Sequence, residues 1–102
     1  MASIVVLYNH PADPAAFDAY YTETHVPIAK KIPGLLSYEI SKGGVVTPEG
    51  ASPYHMVATL KFATMADIQA AFASPEGQAA SADLANFATG GAALLIFDET
   101  PL

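Results

Sequence analysis

The chain has no cysteine, no arginine and no tryptophan, and only 14% of its 102 residues are charged. Without cysteine there can be no disulfides, no thiolate nucleophile and no thiolate metal site. Without arginine there is no planar fork for bidentate binding of phosphate or carboxylate groups, and no glycine-rich phosphate loop is present. The sequence therefore gives no support to a nucleotide cofactor.

Positive charge is scarce. Ten acidic residues against four lysines give a net charge of −6, which repels phosphate backbones and anionic lipid surfaces. We therefore expect neither nucleic acid nor a membrane as a partner. The start of the chain lacks the basic segment and long apolar stretch of a secretory signal, which predicts a cytoplasmic protein.

Hydrophobic residues make up 52% of the chain. A chain of this length builds one core, so we predict a single domain over residues 1–102. So few charges leave a sparse polar surface for a small monomer. A homodimer, in which a second copy covers part of the apolar surface, is the simplest arrangement.

Hydrophobic patterns and helix-start signals predict an α+β protein with the order β-α-β-β-α-β. Strands are predicted over residues 3–8, 36–41, 54–62 and 92–97 from apolar runs and alternation. Asp13 is predicted to cap a helix over residues 14–32, and Thr64 to cap a second helix that breaks at residues 74–77. A short further helix is predicted over residues 78–87, and a loop over residues 43–53.

This order is the ferredoxin-like plan, an antiparallel sheet with its helices on one face. The first and last strands are apolar on both faces, whereas the helices can cover only one. We therefore predict that two such sheets pack face to face in a dimer.

The first helix carries His25 on one face together with Phe17, Tyr21, Ile28 and Ile32, because these residues are spaced three or four apart. His25 is therefore predicted to point inward. Pro27 lacks a backbone N–H and should kink the helix near residues 23–26, which would free polar backbone groups beside the histidine.

The early part of the chain contains a set of aromatic, proline and small residues at distinctive positions: Tyr8, Asp13, Ala16-Phe17, Tyr20-Tyr21, His25, Pro27-Ile28-Ala29 and Pro33-Gly34-Leu35. Together they resemble the signature of the EthD family, within the dimeric α+β barrel superfamily. The resemblance implies a dimeric barrel and a role in catabolism, since the family is named after a protein of ethyl tert-butyl ether degradation. Superfamily members include lactone isomerases, polyketide cyclases, quinol-forming monooxygenases and haem-binding proteins.

We expect a pocket between the first helix and the sheet. His25 and Tyr21 are the candidate catalytic residues, and Phe17, Tyr38 and His55 are candidates for substrate binding. An imidazole in an apolar cleft suits proton transfer next to a carbonyl group. The alternative for His25 is a core histidine held by one hydrogen bond, and for the tyrosines it is ordinary core packing.

No metal and no cofactor are predicted. The spacing of His10, His25 and His55 matches no local ligand motif, and beyond His25 as a conceivable axial ligand nothing indicates haem. Two functions stay open: a cofactor-free isomerase, cyclase or lyase acting on a small carbonyl compound, or a non-catalytic binding protein that serves an oxygenase system.

Overall fold

In a computed structural model of all 102 residues, an antiparallel sheet of four strands lies under a layer of helices. Its strands are β1 (Ala2–Asn9), β2 (Ser37–Ile40), β5 (Tyr54–Phe62) and β6 (Ala92–Asp98), in the spatial order β2-β5-β1-β6. The short strands β3 (Val46–Thr47) and β4 (Gly50–Ala51) form a separate hairpin within the predicted loop. The ferredoxin-like α+β prediction is confirmed.

The helical layer consists of four α-helices and one π-helical turn. These are α1 (Pro14–Tyr20), the π turn (Tyr21–His25), α2 (Val26–Ala29), α3 (Met65–Ala73) and α4 (Pro75–Phe87). None has the length and hydrophobicity needed to span a bilayer. The core between the layers is built largely from β1, β5 and aromatic side chains of the helices.

The first helical segment begins as predicted, because the Asp13 side chain accepts a hydrogen bond from the Ala16 N–H at 3.1 Å. A π turn stands where the sequence predicts a kink: the Val26 N–H bonds to the Tyr21 carbonyl, five residues back. The next residue, Pro27, has no N–H with which to continue an α-helical ladder. The α-helix then ends at Ala29, before the predicted end at residue 32.

The predicted break is present at Ser74, but its extension over residues 75–77 is wrong. Ser74 caps α4 by accepting a hydrogen bond from the Gly77 N–H at 3.0 Å, and Pro75 occupies the first turn. Proline is tolerated there because its missing N–H has no helical partner to lose. α4 therefore starts three residues before the predicted boundary and follows α3 directly.

The edge strand β6 is apolar and exposed on both of its faces. Leu94 and Ile96 point to the helical side and are 38% and 43% exposed, whereas Leu95 and Phe97 point to the open side and are 50% and 41% exposed. The sheet contacts of α3 are with β1 and β5. The protomer therefore leaves an apolar strip uncovered from Leu94 to Phe97 of β6.

Candidate functional site

The centre of the site is a buried pair formed by His25 and Asp83. His25 is 5% exposed and Asp83 6%, and His25 Nδ1 lies 2.8 Å from Asp83 Oδ2. His25 ends the π turn, and Asp83 lies on the buried stripe of α4 with Ala80 and Phe87. The prediction that His25 points inward is confirmed.

Asp83 is held in its charged form by three neighbours. Tyr20 donates its hydroxyl to Asp83 Oδ1 at 2.6 Å, and Asn86 Nδ2 donates to the same oxygen at 3.0 Å. Burial opposes the carboxylate charge, but the hydrogen bonds from Tyr20, Asn86 and His25 outweigh it and lower the pKa of Asp83. Because an ionised carboxylate only accepts, His25 Nδ1 carries the proton of this bond.

The second ring nitrogen, His25 Nε2, is then the basic position of the neutral imidazole. It has no hydrogen-bond partner in the protein. Every side-chain nitrogen or oxygen that is shielded from solvent does have a partner. Nε2 is therefore accessible, and His25 lines a cavity. This arrangement gives a base oriented by a carboxylate and open to a small molecule.

The cavity has a volume of about 60 Å³, and 13 of its 16 lining residues are hydrophobic. It lies between the sheet and the helices, bounded by side chains of β1, β5, α3 and α4. Such a volume holds on the order of four water-sized groups. The walls favour a small apolar molecule with a single polar group.

Three tyrosines also line the cavity. The hydroxyls of Tyr21 and Tyr38 are 2.5 Å apart, and the ring of Tyr8 packs edge-on against Tyr21. Burial is the main cause that raises the pKa of Tyr8, Tyr21 and Tyr38. All three remain protonated over the physiological range. One proton of the Tyr21–Tyr38 pair is used in their mutual hydrogen bond, so the pair can donate one hydrogen bond to a ligand oxygen.

These raised pKa values predict a loss of stability at alkaline pH. Above about pH 10, tyrosines of the unfolded chain ionise while the buried ones keep their protons. The unfolded state then binds fewer protons, so the free energy of unfolding falls as pH rises, by up to about 1.4 kcal/mol per pH unit for each such tyrosine. Urea unfolding across the alkaline range should give a shallower fall for Tyr21→Phe than for the wild type.

The matched control is Phe87→Leu, because Phe87 contacts the Tyr21 ring and carries no proton. It should lower stability at every pH and leave the alkaline slope unchanged. Equal slopes for Tyr21→Phe and the wild type would contradict the assignment.

The model of the EthD domain matches residues 9–91, which include His25, Asp83, Tyr21 and Tyr38. The chain belongs to the EthD family. A curated EthD-like relative, an uncharacterised 11.0 kDa protein of the thcB–thcC intergenic region of Rhodococcus erythropolis, is 46% identical over 97% of this chain and 95% of its own.

Solved structures agree with this fold. An EthD family protein from Bacillus halodurans superposes with a TM-score of 0.89 at 32% identity, over 98% of this chain and 99% of its own. SnoaB from Streptomyces nogalater, described as a cofactor-independent oxygenase, has a TM-score of 0.68 at 14% identity, over 99% and 94%. A dimeric ferredoxin-like protein of unknown function from Bacteroides fragilis has a TM-score of 0.66 at 17% identity, over 96% of this chain and 95% of its own.

Within this EthD domain the structure brings together three of the five predicted site residues. His25, Tyr21 and Tyr38 line the cavity. Phe17 is buried in the aromatic cluster below Tyr8 and does not line it. His55 lies elsewhere too, with Nε2 bonded to Asp18 at 2.7 Å and its ring against Phe17 at 4.9 Å.

The placement of His55 follows from a bulge. The register between β1 and β5 shifts at Tyr8/Asn9, where Tyr8 pairs with Met56 and Asn9 with Tyr54. A bulge re-aims the side chain of the extra residue. His55 therefore reaches the first helix, where it contacts Asp18 and Phe17.

The sequence interpretation missed Asp83 and Tyr8 as site residues. Asp83 could have been found, because it is an acidic residue three after Ala80 and four before Phe87, on the apolar stripe of an alanine-rich helix. Such a residue needs a buried partner. Tyr8 has no comparable signal, since an aromatic residue at the end of an apolar strand is typical of a core.

Proposed function

We propose that this EthD protein catalyses cofactor-free proton transfer on a small, apolar carbonyl compound bound beside His25. The observation that carries the proposal is the buried His25–Asp83 pair, which leaves Nε2 open to an apolar cavity. A histidine confined to core packing has no need of a buried carboxylate with three hydrogen-bond donors around it. An isomerase, cyclase or lyase reaction is consistent with this chemistry.

In the proposed reaction, His25 Nε2 removes a proton from the carbon next to the carbonyl group. The electron pair of the broken C–H bond moves to the carbonyl oxygen and forms an enolate. Asp83 stabilises the resulting imidazolium, and the Tyr21 hydroxyl, in the orientation in which it accepts from Tyr38, donates its proton to the enolate oxygen. Return of the proton from Nε2 to a different carbon completes an isomerisation.

The proposal can be tested without knowledge of the natural substrate. Butan-2-one is a small ketone whose α-hydrogens exchange slowly with D2O, and proton NMR follows the loss of their signals. We expect the protein to accelerate exchange well beyond an equal concentration of free imidazole. Exchange no faster than with imidazole, although butan-2-one binds the protein, would contradict catalysis and favour the alternative of a binding protein for an oxygenase system.

We further propose that the protein is cytoplasmic and acts on a catabolic intermediate. The absence of cysteine is in keeping with a reducing compartment, and membership of a family named after ethyl tert-butyl ether degradation supports the catabolic role.

A homodimer is the second part of the proposal. Its support is the exposed apolar strip on β6, together with Val5 and Leu7 on the open face of the neighbouring strand β1. An exposed edge strand of this kind is a hazard in a monomer unless something covers it. A second copy packed against the open face would cover Leu95 and Phe97.

Leu95→Glu should weaken the dimer. Leu95 is half exposed in the protomer, so the protomer can fold with a charge there, whereas a dimer would have to bury that charge unpaired. We expect the dimer dissociation constant, measured by sedimentation, to rise by about tenfold or more. The control Ala82→Glu adds the same charge on the exposed side of α4 and should leave the dimer dissociation constant unchanged. A wild-type protein that is monomeric at micromolar concentration would contradict the dimer.

A further inference from the structure

A second, larger hollow lies on the other side of the cavity tyrosines. This polar cleft has a volume of about 480 Å³ and is lined by His10, Asp18, Thr22, Ile40, Ser52 and His55 among others. It shares no lining residue with the His25 cavity. Its volume falls within the range of small-molecule sites, roughly 300–1,000 Å³, whereas the His25 cavity is smaller than the ~150 Å³ that admits benzene elsewhere.

Three pairs of neighbouring residues connect the two hollows. Tyr8 of the cavity pairs across the sheet with Met56 of the cleft. Tyr21 precedes Thr22 in the chain, and Tyr38 stands two residues before Ile40 on the same face of β2. These neighbours place Tyr8, Tyr21 and Tyr38 on the side of the cavity that faces the cleft, and we call the three residues the tyrosine wall.

One member of the tyrosine wall is less confined than the others. Tyr8 is 1% exposed and Tyr21 is fully buried, but Tyr38 is only partly buried and stands on the edge strand β2. Rotation of the Tyr38 side chain would join the two hollows without moving a central strand. A ligand too long for the cavity alone could then occupy both.

The cleft offers hydrogen-bond acceptors from its two imidazoles. His55 Nε2 is bonded to the Asp18 carboxylate at 2.7 Å, and His10 Nε2 to the Ser52 carbonyl at 3.0 Å. Both partners are acceptors, so each Nε2 donates and each neutral ring keeps a lone pair on Nδ1. The rings are 6.1 Å apart, close enough for both to face one ligand group.

We propose that the polar cleft binds the hydroxyl end of an elongated, uncharged keto alcohol, whose carbonyl end passes Tyr38 to reach His25. No lysine lines the cleft and Asp18 does, so a carboxylate end is disfavoured, whereas a hydroxyl can donate its single proton to either of the two Nδ1 atoms. This inference rests on the proposed function for the carbonyl end of the ligand and names its substrate class.

The test compares three probes of similar length: nonan-2-one, 9-hydroxynonan-2-one and 8-oxononanoate. Binding to isotope-labelled protein is followed by amide NMR at mildly alkaline pH. The keto alcohol should bind about tenfold more tightly than nonan-2-one, the range of one or two added hydrogen bonds. It should shift amides near Ser52 in the cleft and near Leu84 in the cavity together.

Two variants assign the preference to the cleft. His55→Phe keeps the ring that packs on Phe17 but removes Nδ1, and His10→Ala changes an exposed residue. Each should reduce the preference for the keto alcohol and leave the affinity for nonan-2-one unchanged. The inference is overturned if nonan-2-one and 9-hydroxynonan-2-one bind equally well, or if the preference for the keto alcohol survives both variants. It is also overturned if 8-oxononanoate binds more tightly than the keto alcohol, or if the amide shifts are confined to one hollow.

The outcome is separable from that of the proposed function. A keto alcohol preference that depends on His10 and His55, without any deuterium exchange, would refute catalysis and support the cleft. Exchange of butan-2-one without that preference would support catalysis and refute the cleft.

Discussion

Gly77→Ala is expected to destabilise the protein by about 3 kcal/mol or more. A Cβ added at Gly77 would lie 1.8 Å from the backbone oxygen of Ala71 and 2.8 Å from its carbonyl carbon. In an open helix the same change would stabilise by up to about 1 kcal/mol through helix propensity. The clash with backbone decides the sign, because relief requires α3 and α4 to separate.

That separation would disturb the whole corner between the helices. The Ser74 hydroxyl donates to the Ala71 carbonyl at 2.6 Å and also caps α4 through the Gly77 N–H. We expect the melting temperature to fall by about 10 °C or more, given roughly 4–8 °C per kcal/mol for a domain of this size. Thermal and urea unfolding measure the change.

Gly44→Ala is the matched control, since no atom lies within 4 Å of the added Cβ at Gly44. Its stability should stay within about 0.5 kcal/mol of the wild type. If Gly77→Ala unfolds at the same urea concentration as the wild type, the close approach of α4 to Ala71 is wrong.

The parts of the fold that follow from local chemistry could be predicted from the sequence. β5 matches the predicted bounds of residues 54–62 because alternation marks both of its faces. The caps at Asp13 and Thr64 were also predicted, and the Thr64 side chain accepts from the Asp67 N–H at 3.1 Å. In each case a few consecutive residues contain the whole signal.

The features that the sequence did not predict depend on contacts between distant segments. Ser74-Pro75-Glu76-Gly77 serves equally as a helix break or a capped helix start, and only the packing of α4 against Ala71 selects the second. The pairing of His25 with Asp83 joins residues 58 positions apart. Periodicity alone puts both residues on buried stripes but cannot say that the stripes meet.

The same limit explains the mixed result for the candidate site. Tyr21 and His25 are four residues apart on one helix, so their common face was predictable. Tyr38 joins them because β2 pairs with β5 at Leu60, which brings it under the π turn. His55 does face the first helix, but it lies at the start of β5 against Asp18 and Phe17, and so does not line the cavity.

His25→Gln should reduce the exchange of butan-2-one by about 10² to 10⁴, the usual contribution of a positioned general base. Glutamine can keep a hydrogen bond to Asp83 and preserve the fold, but it cannot accept the α-proton. The dissociation constant of butan-2-one, measured by NMR, should change little. A variant that only loses stability, with exchange unchanged in its folded fraction, would assign His25 to core packing.

Asp83→Asn tests how the base is oriented. The asparagine side chain can donate to Nδ1 as well as accept from it, so the imidazole can adopt the tautomer with its proton on Nε2, where it no longer serves as a base. The charge that stabilises the imidazolium is lost as well. We expect exchange to fall nearly as far as in His25→Gln, and the double variant to lose no more than the worse single one, because the two residues act as a unit.

Tyr20→Phe is the control for this pair, since it removes one hydrogen bond to Asp83 Oδ1 and leaves the contact between Asp83 and His25 in place. Because the carboxylate loses one hydrogen bond but keeps its charge and its contact with His25, the rate of exchange should fall by less than about tenfold. If Asp83→Asn exchanges butan-2-one at the same rate as the wild type, His25 needs no orienting carboxylate. Independent, multiplying losses in the double variant would mean that Asp83 acts on the protein's stability and not through the imidazole.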